Sequence, residues 1–176
     1  MNFLLLPLMA LAGAGLALTA VLHAAALAGH MPALFQSFSG DRGVVAMAGL
    51  FVVWVPAVFV AQRIEGTGRR GFSWKRLLSG CPAGLRYGML ALFVYAFVNF
   101  FIALGGAADD ELRGIRIFSG HAMLFYGAAL CVFVSAWRLP GLLVRARCPA
   151  GHDVDRGDRY CPACGLPVAR SGDPSA

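Results

Sequence analysis

The feature that most constrains this chain is a long uncharged segment near its N-terminus. Residues 3–28 contain no Asp, Glu, Lys or Arg. A helix crosses the hydrocarbon core of a bilayer with about 20 apolar residues, so this segment is long enough to span it. A helix at the surface of a soluble protein would instead need a polar face along its length. The chain therefore requires a bilayer as part of its solvent.

Three more apolar segments follow the first one, at about residues 44–61, 87–108 and 117–137. The whole chain is 59% hydrophobic and only 14% charged, whereas soluble domains carry about 25% charged residues. Helices satisfy their own backbone hydrogen bonds, as a hydrocarbon environment demands. The sequence predicts an all-α membrane protein in which residues 1–140 form a bundle of four transmembrane helices.

The first segment has a second interpretation, as a cleaved signal peptide. Ala26-Leu27-Ala28 has the small-residue form of a cleavage site. The apolar stretch is much longer than the hydrophobic region of 7–15 residues inside a typical signal peptide, and no Lys or Arg precedes it. We therefore expect the first helix to be retained.

The distribution of basic residues predicts the orientation of the bundle. Twelve of the 15 Lys and Arg residues lie in the connection between the second and third helices or in the C-terminal tail, and three lie on the other side. Basic residues concentrate on the cytoplasmic side of membrane proteins. We expect both termini in the cytoplasm of a bacterial cell, with the chain in its inner membrane. The net charge of +6 comes from basic residues in these connections rather than from a basic stripe along one surface. No nucleic-acid partner is therefore expected.

Smaller features predict how the helices pack. Residues 72–78 mix aromatic, basic and aliphatic side chains and are typical of a short helix on the headgroups. Pro56 is expected to kink the second helix. Two cysteines, Cys81 and Cys131, are isolated in the sequence and are interpreted as packed thiols. Small residues favour close approach of another helix to one face of the first helix, which carries Gly13, Ala17, Ala20, Ala24 and Ala28.

The strongest chemical motif lies in the C-terminal tail. It reads Cys148-Pro149-Ala150-Gly151-His152 and, eight residues later, Cys161-Pro162-Ala163-Cys164-Gly165. Zinc prefers four thiolate or imidazole donors in a tetrahedron. Proline and glycine favour the tight turns from which two donors can reach one ion. An iron site of the rubredoxin type and a thiol-redox pair at Cys161 and Cys164 are the alternatives.

Residues 148–168 resemble a short zinc ribbon, a family of paired Cys/His knuckles. The resemblance implies that one structural zinc is held by Cys148, His152, Cys161 and Cys164. The Cys-x-x-x-His first half and the short connection depart from the family pattern and leave the strand arrangement open. Residues 141–168 are thus expected to form a cytoplasmic knuckle, and the polar residues 169–176 a disordered tail.

Several polar side chains within the apolar segments form a second candidate site. His23, Asn99 and His121 are predicted at similar depths near the outer end of the bundle, with His30 and Tyr126 nearby. Two histidines on neighbouring helices can ligate a b-type haem. They can also hold another metal or face a quinone. The competing interpretation is that these side chains bond to one another, to Ser119 or to backbone carbonyls and fix the helix packing.

The sequence contains no motif that points to a catalytic set. His-Glu-x-x-His, a phosphate-binding loop and Gly-x-Ser-x-Gly are all absent from it. We therefore expect a non-enzymatic membrane protein that presents a zinc knuckle to a cytoplasmic protein partner. The alternative is a small redox subunit that binds haem or quinone through His23 and His121. A solute permease and the oligomeric state are left open.

Overall fold

The computed structural model describes residues 2–30, 41–65, 73–106, 110–143, 146–154 and 158–168. These residues are mostly helical. Helix α1 spans Asn2–Leu27, α2 spans Asp41–Glu65, and the short α3 spans Trp74–Leu77. Helices α4 and α5 span Ala83–Gly105 and Asp110–Arg138. A 3-10 helix at Pro140–Leu143 and the strands β1, Ala146–Arg147, and β2, Asp153–Val154, complete the fold.

Three helices in the described part of the chain are long and apolar enough to cross a membrane. They are Phe3–Leu27, Ala83–Gly105 and Glu111–Arg138. The predicted segment 44–61 lies within α2, and part of it falls outside the described side chains. Helix α4 begins and ends a few residues before the predicted 87–108. Helix α5 begins at Asp110, well before the predicted start at 117, because polar residues extend the helix beyond its apolar part.

The outward surface of the helices is strongly apolar. On α4 the side chains of Phe93, Phe97 and Phe101 are each more than half exposed. Phe3 and Val21 on α1 are exposed in the same way. A contiguous apolar surface of this extent is unfavourable in water and normal against lipid. The described helices therefore fit a membrane protein.

Helix α5 lies at the centre of the bundle and contacts α1, α2 and α4. Half of its apolar span is buried within the protein, against 17% for the spans of α1 and α4. The reason is its many small residues, since Ala122, Ala129, Ala136 and Ser135 are buried and let neighbouring helices approach closely.

The packed face of α1 differs from the predicted one. Ala17, Ala20, Ala24 and Ala28 are exposed, and a side chain at Gly13 would meet nothing within 4 Å. The buried face instead carries Leu5, Ala12, Thr19, Leu22, His23 and Ala26. Lipid offers no hydrogen-bond partner, so the face with Thr19 and His23 turns inward. Small residues occur on both faces of α1, and the polar side chains determine which face is buried.

The segment from α3 to α4 packs tightly against α5. Ser73 caps α3, whose Leu77 is buried while Trp74 is exposed. The position of this helix on the headgroups stays a prediction. The backbone N–H of Gly80 donates to Ser135 Oγ at 3.0 Å. A side chain at Gly80 would collide with the backbone of Ser135, so glycine is required here.

The two cysteines that the sequence treats as isolated are neighbours in space. Cys81 follows α3, Cys131 lies in α5, and both are buried. Their thiols lie close enough to interact with each other. Pro56 lies inside α2, and its kink stays a prediction.

The C-terminal part of the chain adds a small β element to the helical fold. Strands β1 and β2 pair antiparallel, with Ala146 opposite Val154 and Arg147 opposite Asp153. An isolated antiparallel bridge joins Tyr160 to Pro167. The predicted tail at 169–176 lies outside the described residues.

Candidate metal site and buried histidine network

The first half of the knuckle is a tight turn that carries two donors. The Cys148 N–H donates to the carbonyl of His152 at 3.0 Å, and the Gly151 N–H donates to the carbonyl of Cys148 at 2.8 Å. Gly151 has a φ of +84°, a conformation that side chains disfavour. The turn thereby brings Cys148 and His152 together, with Sγ of Cys148 3.5 Å from Nδ1 of His152.

The second half repeats this construction. The Gly165 N–H donates to the carbonyl of Cys161 at 2.8 Å, and the Cys161 N–H donates to the carbonyl of Leu166 at 2.8 Å. Gly165 has a φ of +70°. Both halves therefore place a glycine just where the chain must reverse around a donor pair.

The four donor atoms converge on one point. The Sγ atoms of Cys148, Cys161 and Cys164 and one ring nitrogen of His152 all lie within 4.8 Å of one another. Two of the edges are 3.5 Å, from Cys148 Sγ to His152 Nδ1, and 3.7 Å, from Cys148 Sγ to Cys164 Sγ. Zinc–ligand bonds in a tetrahedron imply edges of about 3.6 Å for sulfur to nitrogen and about 3.8 Å for sulfur to sulfur. The donor set fits a tetrahedral metal ion.

The surroundings of the donors favour the thiolate form at one position. Burial by itself would raise the pKa of the Cys161 thiol. The backbone N–H groups of Ala163 and Cys164, together with the neighbouring thiols, outweigh it and lower this pKa to about 7. Metals bind thiolates rather than thiols, so such a shift assists metal binding. Cys148 and Cys161 are buried with Val154, and Val168 packs against them.

In the helical bundle, His23 lies in a closed hydrogen-bond network. Its Nδ1 lies 2.8 Å from Ser119 Oγ on α5, and its Nε2 lies 2.7 Å from the Tyr95 hydroxyl on α4. The Ser119 hydroxyl also donates to the carbonyl of Ile115 at 2.7 Å. His23 and Ser119 are buried. Both ring nitrogens of His23 are therefore engaged by protein groups.

Asn99 lies beside this network and binds an arginine. Arg116 Nε donates to Asn99 Oδ1 at 2.6 Å. Asn99 and His23 both lie against Gly120, where an added Cβ would come within 3.3 Å of the Asn99 amide nitrogen and 3.5 Å of the His23 ring. The structure thus brings His23 and Asn99 to one place.

The other predicted pocket residues make different contacts. His121 Nδ1 is 2.8 Å from the carbonyl of Ile117, and its ring meets Phe100 edge to face. His30 is exposed and lies 3.0 Å from the carbonyl of Ala28. Tyr126 packs its ring on Gly15, where any side chain would collide with it.

Sequence reasoning missed two members of the network, Tyr95 and Arg116. Tyr95 precedes Asn99 by four residues, so helical periodicity places it on the same face of α4. Arg116 precedes the predicted start of the fourth apolar segment and is one of the three basic residues that the sequence places on the outer side. The early start of α5 at Asp110 brings it into the helix.

The fold and the site define a class of protein. The described residues form a helical protein of membrane type with a Cys/His group able to hold a metal ion. No model of a protein family, no curated protein and no solved structure matches the chain.

Proposed function

We propose that the chain is a multi-pass protein of a bacterial inner membrane that presents a zinc-bound knuckle to a cytoplasmic protein partner. In this proposal four helices span the bilayer and both termini are cytoplasmic. The knuckle holds one structural zinc through Cys148, His152, Cys161 and Cys164. Its role is protein interaction or assembly rather than catalysis.

The convergence of the four donors carries this proposal. Three thiols and one imidazole nitrogen within 4.8 Å match the ligand type, number and spacing of structural zinc sites. Four protein ligands leave no position for water or substrate, whereas catalytic zinc keeps one open. A segment this short has little apolar core of its own, so a metal ion would supply most of its folding free energy.

Exposed apolar side chains on the knuckle support a role in binding a protein. Tyr160 is 65% exposed and Leu166 is 42% exposed. They flank the second donor turn, and Tyr160 is held by its backbone bridge to Pro167. Rigid exposed aromatic residues commonly anchor protein interfaces. Zinc would fix the turn that presents them.

The proposal is tested by partner recovery from cytoplasmic extract with the full chain in detergent. The variant Tyr160→Ser keeps all four donors and is expected to keep zinc while losing the partner. The double variant Cys161→Ser with Cys164→Ser is expected to lose both. The matched control, Cys81→Ser with Cys131→Ser, removes two thiols outside the knuckle and should retain both.

Partner recovery that is unchanged in both the Tyr160→Ser variant and the double cysteine variant would contradict a role of the knuckle in protein interaction. An accompanying zinc measurement separates loss of the fold from loss of the interface. The absence of zinc from the wild-type chain would contradict the metal part of the proposal.

The alternative, a redox subunit that binds haem, requires a ring nitrogen of His23 that is free to bind iron. To ligate haem iron, His23 would have to release Ser119 or Tyr95, because both ring nitrogens are engaged. We therefore expect no Soret band in the spectrum of the purified chain. A Soret band that disappears in His121→Ala would favour the redox subunit over the present proposal.

A further inference from the structure

A lateral cleft of about 490 Å³ opens between α2, α3 and α5. Its walls are apolar over most of their length, with Trp54 and Val58 on α2, Trp74 and Leu77 on α3, and Val132 on α5. Volumes of this size are typical of sites that bind organic molecules. The cleft is separate from the knuckle and from the His23 network.

Three alanines create the cleft. Ala57 and Ala61 of α2 and Ala128 of α5 contribute walls where larger residues would fill the space. Elsewhere in the bundle small residues let helices meet, as at Gly15 and Tyr126. At the cleft, the edge-to-face contact of Trp54 with Phe125 lies at one end.

The length of the cleft matches one leaflet of a bilayer. Its walls run along α2 from Trp54 to Glu65, which is about 16 Å at 1.5 Å per residue. The hydrocarbon core of a bilayer is about 30 Å thick, so one leaflet is about 15 Å. The deep end at Trp54 is apolar, and the polar end at Gln62 and Glu65 coincides with the end of α2.

The polar end carries an unsatisfied carboxylate oxygen. Glu65 Oε2 accepts a hydrogen bond from the Ser73 N–H at 2.8 Å. Oε1 is buried and has no hydrogen-bond partner in the described part of the chain. Between residues 42 and 108 Glu65 is the sole acidic residue of the sequence. A buried charged oxygen without a donor is costly, so a ligand that supplies a donor would be favoured.

We propose that the cleft binds one phospholipid whose headgroup carries a primary ammonium, of the phosphoethanolamine type. Its acyl chain lies between Trp54 and Trp74. A small rotation of the last torsion of Glu65, which has a broad energy profile, turns Oε1 towards the ammonium. The phosphate meets the exposed Lys75 beside Trp74. This inference rests on the membrane placement in the proposed function.

The test uses the tryptophans that line the cleft as reporters. The chain has three tryptophans, and Trp137→Phe leaves Trp54 and Trp74 alone to fluoresce. This background variant is reconstituted into phosphatidylcholine vesicles containing a small fraction of lipid with brominated chains. The brominated lipid is either phosphatidylethanolamine or phosphatidylcholine, which have equal net charge but differ in N–H donors.

We expect brominated phosphatidylethanolamine to produce the same quenching at a mole fraction at least about threefold lower than brominated phosphatidylcholine. The reason is that hydrogen bonds assisted by charge are stronger than neutral ones. Glu65→Gln keeps an acceptor for Ser73 but removes the charge, so it should abolish the preference. Ala61→Leu fills the cleft and should weaken quenching by both lipids. The matched controls, Glu111→Gln and Ala91→Leu at exposed sites, should behave as the background does.

Equal quenching by the two brominated lipids in the background variant overturns the inference, and this comparison needs no further substitution. Quenching unchanged by Ala61→Leu also overturns it. A second copy of the chain over the cleft would shield the tryptophans from both lipids and give a cross-linked dimer, which likewise contradicts it. Failure of the chain to enter vesicles would instead contradict the proposed function, so the two failures are distinguishable.

Discussion

The helical bundle and the C-terminal knuckle each hold a histidine among polar groups, but His23 in the bundle is buried whereas His152 in the knuckle is exposed. In the bundle both nitrogens of His23 are engaged, by Ser119 at 2.8 Å and by Tyr95 at 2.7 Å. In the knuckle Nδ1 of His152 faces a thiol at 3.5 Å. This separation matches the edge between a sulfur ligand and a nitrogen ligand of one tetrahedral metal ion.

A histidine that stabilises packing and a histidine that ligates a metal differ in the groups around them. Within a bilayer a polar side chain needs a protein partner, so a histidine with two partners stabilises helix packing. In a small segment near water, several thiol and imidazole groups that converge on one point are placed to hold an ion. The arrangement of the groups around a histidine, rather than the residue type, therefore distinguishes a packing histidine from a metal ligand.

The largest expected effect is on the knuckle. Removing zinc with a strong chelator should unfold it, because the metal supplies most of the folding free energy of such a segment. Protease cleavage after residue 140 should become fast, while the helical circular dichroism of the bundle stays unchanged. Loss of helical signal together with the zinc would contradict the independence of the two regions.

A large effect confined to the bundle is expected from Gly80→Ala. The added Cβ would meet the backbone of Ser135, and overpacking of this kind costs about 2–3 kcal/mol. The matched variant is Gly88→Ala in α4, where nothing lies within 4 Å. It should be neutral or stabilising because alanine favours helix. Thermal unfolding in detergent measures both, and the zinc content should stay constant.

A smaller effect is expected from His23→Leu. The substitution removes two hydrogen bonds and leaves the Tyr95 and Ser119 hydroxyls with fewer partners. Ser119 keeps its bond to Ile115, so the loss should be about 1–2 kcal/mol. The control His30→Leu changes an exposed histidine and should have almost no effect. Equal unfolding temperatures for the two variants would argue against a packing role for His23.

The smallest effect is expected at the exposed pair of Arg147 and Asp153, whose atoms lie 3.3 Å apart. Surface pairs contribute less than about 1 kcal/mol. Arg147→Gln should therefore leave the zinc stoichiometry unchanged and alter the apparent zinc affinity by a few-fold at most. A competition titration with a zinc-binding dye measures this. Complete loss of zinc would show that the β1–β2 pairing depends on the arginine.

The sequence alone predicts the elements that depend on local composition. The uncharged segment at residues 3–28 predicts α1 almost to the residue, because hydrophobic length is a local property. The donors Cys148, His152, Cys161 and Cys164 converge as their turn residues predict. The four-helix count and the identity of the metal stay predictions.

The sequence could not predict features that depend on how the helices meet. The buried face of α1 was predicted wrongly, since small residues occur on both sides of the helix. The contact between Cys81 and Cys131 joins residues fifty positions apart. The cleft arises from Ala57, Ala61 and Ala128 on two helices. Pairing of this kind is fixed by tertiary packing, which one sequence does not reveal.

The metal in the knuckle can be identified by elemental analysis of the full chain purified in detergent, combined with its absorption spectrum. We expect one zinc per chain, no iron, and no Soret band. We expect the zinc to be lost in the Cys161→Ser and Cys164→Ser double variant and kept in the Cys81→Ser and Cys131→Ser variant. Iron in place of zinc, or a wild-type chain without metal, would contradict the proposed zinc site.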